Sequence, residues 1–137
     1  MKRILFLVFI ILITSCSVKT LRAPVTKDPA SIRTTVSGLQ SHTIYPNDMV
    51  WLNIYDGRGQ NDDRLISRER LTIDSPLQNY QLDANQPYTF FFSSVQPVFG
   101  GYKYCNVQKI IEPRKNEKLQ LDYKLIKGRC KIETRKR

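Results

Sequence analysis

The chain has 137 residues and a formal net charge of +10, with one histidine and three cysteines. That length suits one domain once any targeting segment is removed. The lone histidine, His42, excludes a histidine metal cluster and disfavours a Cys–His catalytic pair. The positive balance predicts attraction to anionic partners, with the plain alternative that surface charge keeps a small domain soluble.

Residues 1–15 read as a secretory signal: Met1-Lys2-Arg3 is a positive start, Ile4 to Ile13 is an unbroken apolar run, and Thr14 and Ser15 are small. The run falls short of the roughly 20 residues that a permanent membrane helix needs. Ile13-Thr14-Ser15-Cys16 resembles the bacterial lipobox, whose usual form is Leu, a small residue, Gly or Ala, then Cys. Ile13 stands for the usual Leu and Ser15 for Gly or Ala. The resemblance implies lipidation of the Cys16 thiol, cleavage before it and acylation of the new amine. Each buried methylene of such an anchor adds about 0.8 kcal/mol of membrane affinity. Ser17, where Asp would favour the inner membrane in enteric-type bacteria, implies anchoring in the cell outer membrane, and the periplasmic face is expected in preference to the cell surface. Cleavage removes Lys2 and Arg3 and leaves twenty basic against twelve acidic residues, a net of +8.

Residues 16–30 have no helical or strand period and hold Pro24 and Pro29. They read as the lipidated cysteine and an extended tether that reaches roughly 40 Å if polyproline-like. Residues 31–134 form the domain. Ser31–Ser37 is a strand, Gln40–Tyr45 a weaker one, and Pro46-Asn47-Asp48 a turn. Met49–Tyr55 is apolar on both faces, which places it centrally. Asp56–Asp63 is a polar loop. Arg64–Ile73 reads as a strand, with a short helix over Leu65–Leu71 as the alternative. Leu77–Leu82 and Tyr88–Val95 follow, the second a buried strand. Gln96–Gly101 is a loop. Tyr102–Ile111, Lys118–Ile126 and Arg129–Thr134 are the last strands, the final pair joined by a Lys127-Gly128 hairpin. Residues 135–137 are a basic tail. Strands at this spacing predict an all-β fold, a small antiparallel β-sandwich of immunoglobulin- or transthyretin-like layout. Tyr88, opening a strand just after a corner loop, resembles the tyrosine corner of Greek-key sandwiches.

An exported chain uses Cys16 for the lipid and leaves Cys105 and Cys130 to form a disulfide. Closing that loop stabilises the fold by roughly 3 kcal/mol in the chain-entropy model. A flat meander of the last three strands would hold the two cysteines two strands apart, roughly 10 Å, too far for the bond. Either the last strand crosses to the other sheet, then, or Tyr102–Ile111 pairs elsewhere.

Little in the sequence carries chemistry. Asp56-Gly57-Arg58-Gly59 is too short for a phosphate loop, and no nucleophile elbow occurs. Asp56, Asn61, Asp62 and Asp63 offer calcium-type oxygen ligands, but Arg58 and Arg64 lie among them. No catalytic residue, metal site or cofactor is expected. Basic residues cluster late, and Arg114, Lys115, Lys127, Arg129 and Lys131 are the candidate binding surface, with solvated strand faces as the plain alternative. The general layout resembles small β-sandwich lipoproteins of secretion machines, including the type VI apparatus. It also resembles lipoproteins with a C-terminal Cys-strand-strand-Cys arrangement. The expectation is a non-enzymatic binding or scaffolding module attached to the membrane by a lipid. Its partner would be an envelope protein or an anionic glycan or lipid A, in preference to nucleic acid. The alternative is an inhibitor or immunity protein that plugs a hydrolase or toxin with a loop such as Asp56–Asp63 or Gln96–Gly101.

Overall fold

The computed structural model describes residues 27–137. The signal segment, Cys16 and most of the tether lie outside the described residues. Eight strands form two four-stranded sheets: β1 (Ala30–Ser37), β2 (Met49–Asp56), β3 (Leu65–Leu71), β4 (Leu77–Leu82), β5 (Tyr88–Val98), β6 (Gly101–Ile111), β7 (Lys118–Ile126) and β8 (Arg129–Lys136). Sheet A runs β4-β1-β7-β8 and sheet B runs β3-β2-β5-β6. This is the all-β sandwich that the alternating pattern predicts. Met49–Asp56 is central, between β3 and β5, as its two apolar faces suggest.

The core is the pair of inward faces. Ile32, Tyr80, Leu121 and Tyr123 of sheet A meet Leu52, Ile54, Phe90 and Phe92 of sheet B, all buried. Phe92 stacks on Tyr123 with centroids 5.3 Å apart, and Tyr80 meets Phe90 edge-on at 6.3 Å. Such ring pairs add about 0.5–1.5 kcal/mol each to the burial itself. Burial pushes the Tyr123 phenol up.

Three elements depart from the sequence reading. Gln40–Tyr45 forms no strand. It belongs to a loop closed by the buried Asp48, whose carboxylate accepts from the Gln40 N–H at 3.0 Å and meets His42 Nε2 at 2.8 Å. Satisfying that buried carboxylate favours the loop over a sheet ladder. Gln96–Gly101 is not a loop. β5 continues to Val98 and turns into β6 through Phe99 and Gly100 alone. Pro97 is tolerated because β2 has already ended there, its last pair being Met49 with Val95, so β5 has one neighbour. Finally, β8 runs on to Lys136, two residues into the segment read as a basic tail. The 3-10 turn Asp62–Arg64, capped by Asn61, precedes β3, which is a strand throughout.

One pairing is parallel. β1 lies between β4 (antiparallel) and β7 (parallel), with Ile32 opposite Leu119 and Val36 opposite Tyr123. β1 stops at Gly38, whose φ of +83° and packing against the Leu125 carbonyl leave no room for a Cβ.

The cysteines behave as the spacing argument requires. β6 pairs with β5 in sheet B, while β8 pairs with β7 in sheet A, and the Cys105–Cys130 disulfide joins these two edge strands across the sandwich. Its Cα atoms are 6.0 Å apart. Tyr88 also holds the corner position. Its ring is buried, and its hydroxyl meets the Gln86 side chain and the Asp83 backbone of the preceding loop.

Candidate functional site

Strand directions give the sandwich two unlike ends. The start of β1 and the β2–β3, β4–β5 and β6–β7 connections share one end, here the tether end. The β1–β2, β3–β4, β5–β6 and β7–β8 connections share the other, the far end. A nine-residue strand such as β7 separates them by roughly 26 Å.

This geometry divides the basic residues singled out in the sequence. Arg114 and Lys115 lie in the β6–β7 connection at the tether end, while Lys127 and Arg129 lie on the far-end hairpin. Lys131 is on β8, where its Nζ sits 2.7 Å from Glu133. The five do not form one surface. Several neighbouring cations are likewise engaged: Lys124 with Glu133 at 2.5 Å, Arg135 with Asp122 at 3.2 Å and Lys136 with Glu117 at 3.2 Å. Hydrogen bonds from Lys124 and Lys131 hold the Glu133 carboxyl well below its usual range, at about 2. Burial works against ionisation of Asp122, yet bonds from Thr35 and Gln120 and the charge of Arg135 outweigh it and keep its carboxyl low.

The far end has a character the sequence reading missed. Three connections there each project a bulky apolar side chain into solvent: Ile44 (87% exposed) from β1–β2, Phe99 (93%) from β5–β6, and Ile126 (52%) at the foot of the β7–β8 hairpin. The hairpin turns are tight. Lys127 and Gly128 both have positive φ, the pattern of a two-residue turn that follows the twist of its strands. Between the tips lies a cleft of about 300 Å³ whose lining includes His42, Asp48, Lys103 and Lys127. The β1–β2 loop is fixed by Asp48, so Ile44 stands on an anchored rather than a free segment. A sequence signal was present: apolar residues next to turn residues, as in Phe99-Gly100 and Ile126-Lys127-Gly128, where a soluble hairpin ordinarily carries polar side chains.

Among the described residues no group of histidine, cysteine and acidic side chains is placed to hold a metal ion. In the β2–β3 connection the Asn61 side chain caps the 3-10 turn by accepting from the Asp63 N–H at 3.2 Å. Among the described residues no helix is long and apolar enough to cross a membrane.

No family model and no curated protein matches the sequence. Among solved structures the chain is similar to the crystal structure of the T6SS lipoprotein TssJ1 from Pseudomonas aeruginosa. The alignment covers 79% of this chain and 96% of that one, at 11% identity and a TM-score of 0.44. A likeness of that size leaves function to be read from the chain's own residues.

Proposed function

We propose that the protein is a non-enzymatic docking module of the bacterial cell envelope. Cys16 anchors it by lipid in the outer membrane, on the periplasmic face, and the far end of the sandwich engages a protein partner. The observation that carries this reading is the trio of exposed apolar tips, Ile44, Phe99 and Ile126, at the end opposite the tether. Large apolar groups held on rigid turns cost solvation free energy in the free protein and become buried anchors in a complex. The anchor itself rests on the lipobox resemblance at Ile13-Thr14-Ser15-Cys16. The protrusion of Phe99 on a two-residue turn also supports the second reading, an inhibitor that inserts this hairpin into the cleft of a hydrolase or toxin.

The test is purification of the tagged, detergent-solubilised protein from its own envelope, with mass spectrometry of everything retained. The expected result is a lipidated protein that starts at Cys16 and carries a stoichiometric partner. The partner is lost in an Ile44→Asp/Phe99→Asp double variant that still melts like the parent. A partner retained by that variant would move the docking site elsewhere, and a protein of unmodified mass would remove the anchor. A partner with hydrolase or toxin activity that the protein suppresses would favour the second reading.

A further inference from the structure

The outer face of sheet B carries chemistry used by neither the core nor the far-end tips. Its register sets Trp51 between Arg70 and Ser93, with Asn106 beyond. One step toward the tether end, Asn53 lies between Arg68 and Phe91. One step the other way, Val95 lies beside Tyr104, and Tyr102 follows it along β6. The three polar aromatic rings are open to solvent: Trp51 is 38% exposed, Tyr102 56% and Tyr104 64%. The two tyrosine rings are neighbours, 6.4 Å apart. Two amides beside the rings are already oriented. Arg68 donates to Asn53 at 3.2 Å, and Ser93 donates to Asn106 at 2.7 Å. No outward position on these four strands is acidic, since Glu69 of β3 faces the core and is buried.

We propose that this face binds an anionic polysaccharide, with sugar rings on Trp51 and Tyr104 and acidic groups against Arg68 and Arg70. A sugar ring presents an apolar C–H face and a rim of hydroxyls. Aromatic rings take the first, and side-chain amides take the second. Tyr and Trp lose little conformational entropy when covered, and amides fixed in advance lower the ordering cost further. Trp51 and Tyr104 lie two strands and one outward step apart, roughly 12 Å, a span for several linked rings rather than one sugar. Two guanidinium groups with no carboxylate on the face select for acidic groups, which they hold through paired N–H donors. A second copy of the chain fits poorly, because face-to-face contact sets these arginines against a surface with no acidic residue.

The inference stands on this face alone, independent of the anchor and of the far end. Trp51 is the sole tryptophan, so its emission reports occupancy directly. The full-length protein in detergent is titrated with hexagalacturonate, with cellohexaose and poly-glutamate as comparison ligands. The expected result is a saturable blue shift with hexagalacturonate, at least tenfold weaker with cellohexaose. Arg70→Gln and Tyr104→Ser, each confirmed folded by its melting curve, weaken it about tenfold. Arg33→Gln on the opposite face leaves it unchanged. No saturable shift at millimolar hexagalacturonate overturns the proposal, as does equal affinity in Arg70→Gln and Tyr104→Ser. A tighter response to poly-glutamate overturns it too, by assigning the face to an acidic polypeptide.

Discussion

The two outer faces of the sandwich are built on the same pleat and cover the same core, yet they are finished differently. On sheet A the outward side chains answer one another. Asp122 accepts from Thr35 at 2.5 Å and Gln120 at 2.6 Å, and Glu133 is shared by Lys124 and Lys131. On sheet B the outward row alternates rings, amides and two arginines, and its largest side chains stay half open to water. A face that satisfies itself needs no partner. A face that leaves Trp51, Tyr102 and Tyr104 uncovered forgoes about 25 cal/mol for each Å² of apolar surface until something covers it. The contrast is therefore one of role: sheet A's outer face contributes to stability and sheet B's to recognition.

Four outcomes sharpen or break this contrast. The largest concerns the bond that holds the sheets together. Cys105→Ser/Cys130→Ser lowers stability by about 3 kcal/mol, a fall in Tm of more than 10 °C. Calorimetry of the variant, and of the parent under reductant, checks this. A shift of a degree or two would mean that the core alone fixes the two faces relative to each other. Next is Asp122→Asn, which weakens three charge-assisted contacts on sheet A and costs about 2 kcal/mol in urea titration. A neutral result would deny that face its stabilising part.

Third is pH. Asp122, Glu117 and Glu133 all have carboxyls held below their usual range. Their contribution is complete above the unfolded values near ~4. It is lost as pH falls through the depressed folded values, so Tm declines from about pH 4.5 toward 2. Asp122→Asn flattens that decline, while Arg70→Gln and Tyr104→Ser leave it unaltered, because sheet B's outer face has no carboxylate to titrate. Smallest is Tyr104→Ser itself, which changes stability by less than about 0.5 kcal/mol. A larger loss would make Tyr104 part of the fold rather than an open binding group.

The sequence displayed whatever depends on near neighbours. Period-two alternation located the strands of both sheets, and the turn residues Lys127-Gly128 marked a corner that exists. The cysteine spacing excluded a flat meander, and β6 does pair elsewhere. What stayed hidden is non-local. No local pattern states that β1 runs parallel to β7, because strands 80 or more residues apart choose each other through the whole core. Gln40–Tyr45 imitates a strand in composition, and only the buried Asp48 reveals why it is a loop. Pro97 argues for a loop until one sees that β2 ends short of it. The basic cluster looked like one surface because its members are close in sequence, but antiparallel strands send sequence neighbours to opposite ends. The exposed rings of sheet B were equally opaque: an apolar residue on a central strand reads as core on either face, and only the two-layer arrangement of the described residues shows which face is open.

The place of β1 has a mechanical meaning. The first strand of the domain is not an edge but an interior member of sheet A, gripped by β4 on one side and β7 on the other. A pull arriving from residues before Lys27 acts along the axis of β1 and loads both ladders in shear, so their bonds must yield together. The same pull on β8, which has one ladder neighbour, would load only the β7 ladder. Force entering from the residues before Lys27 is thus shared by two ladders, where an edge strand would offer one.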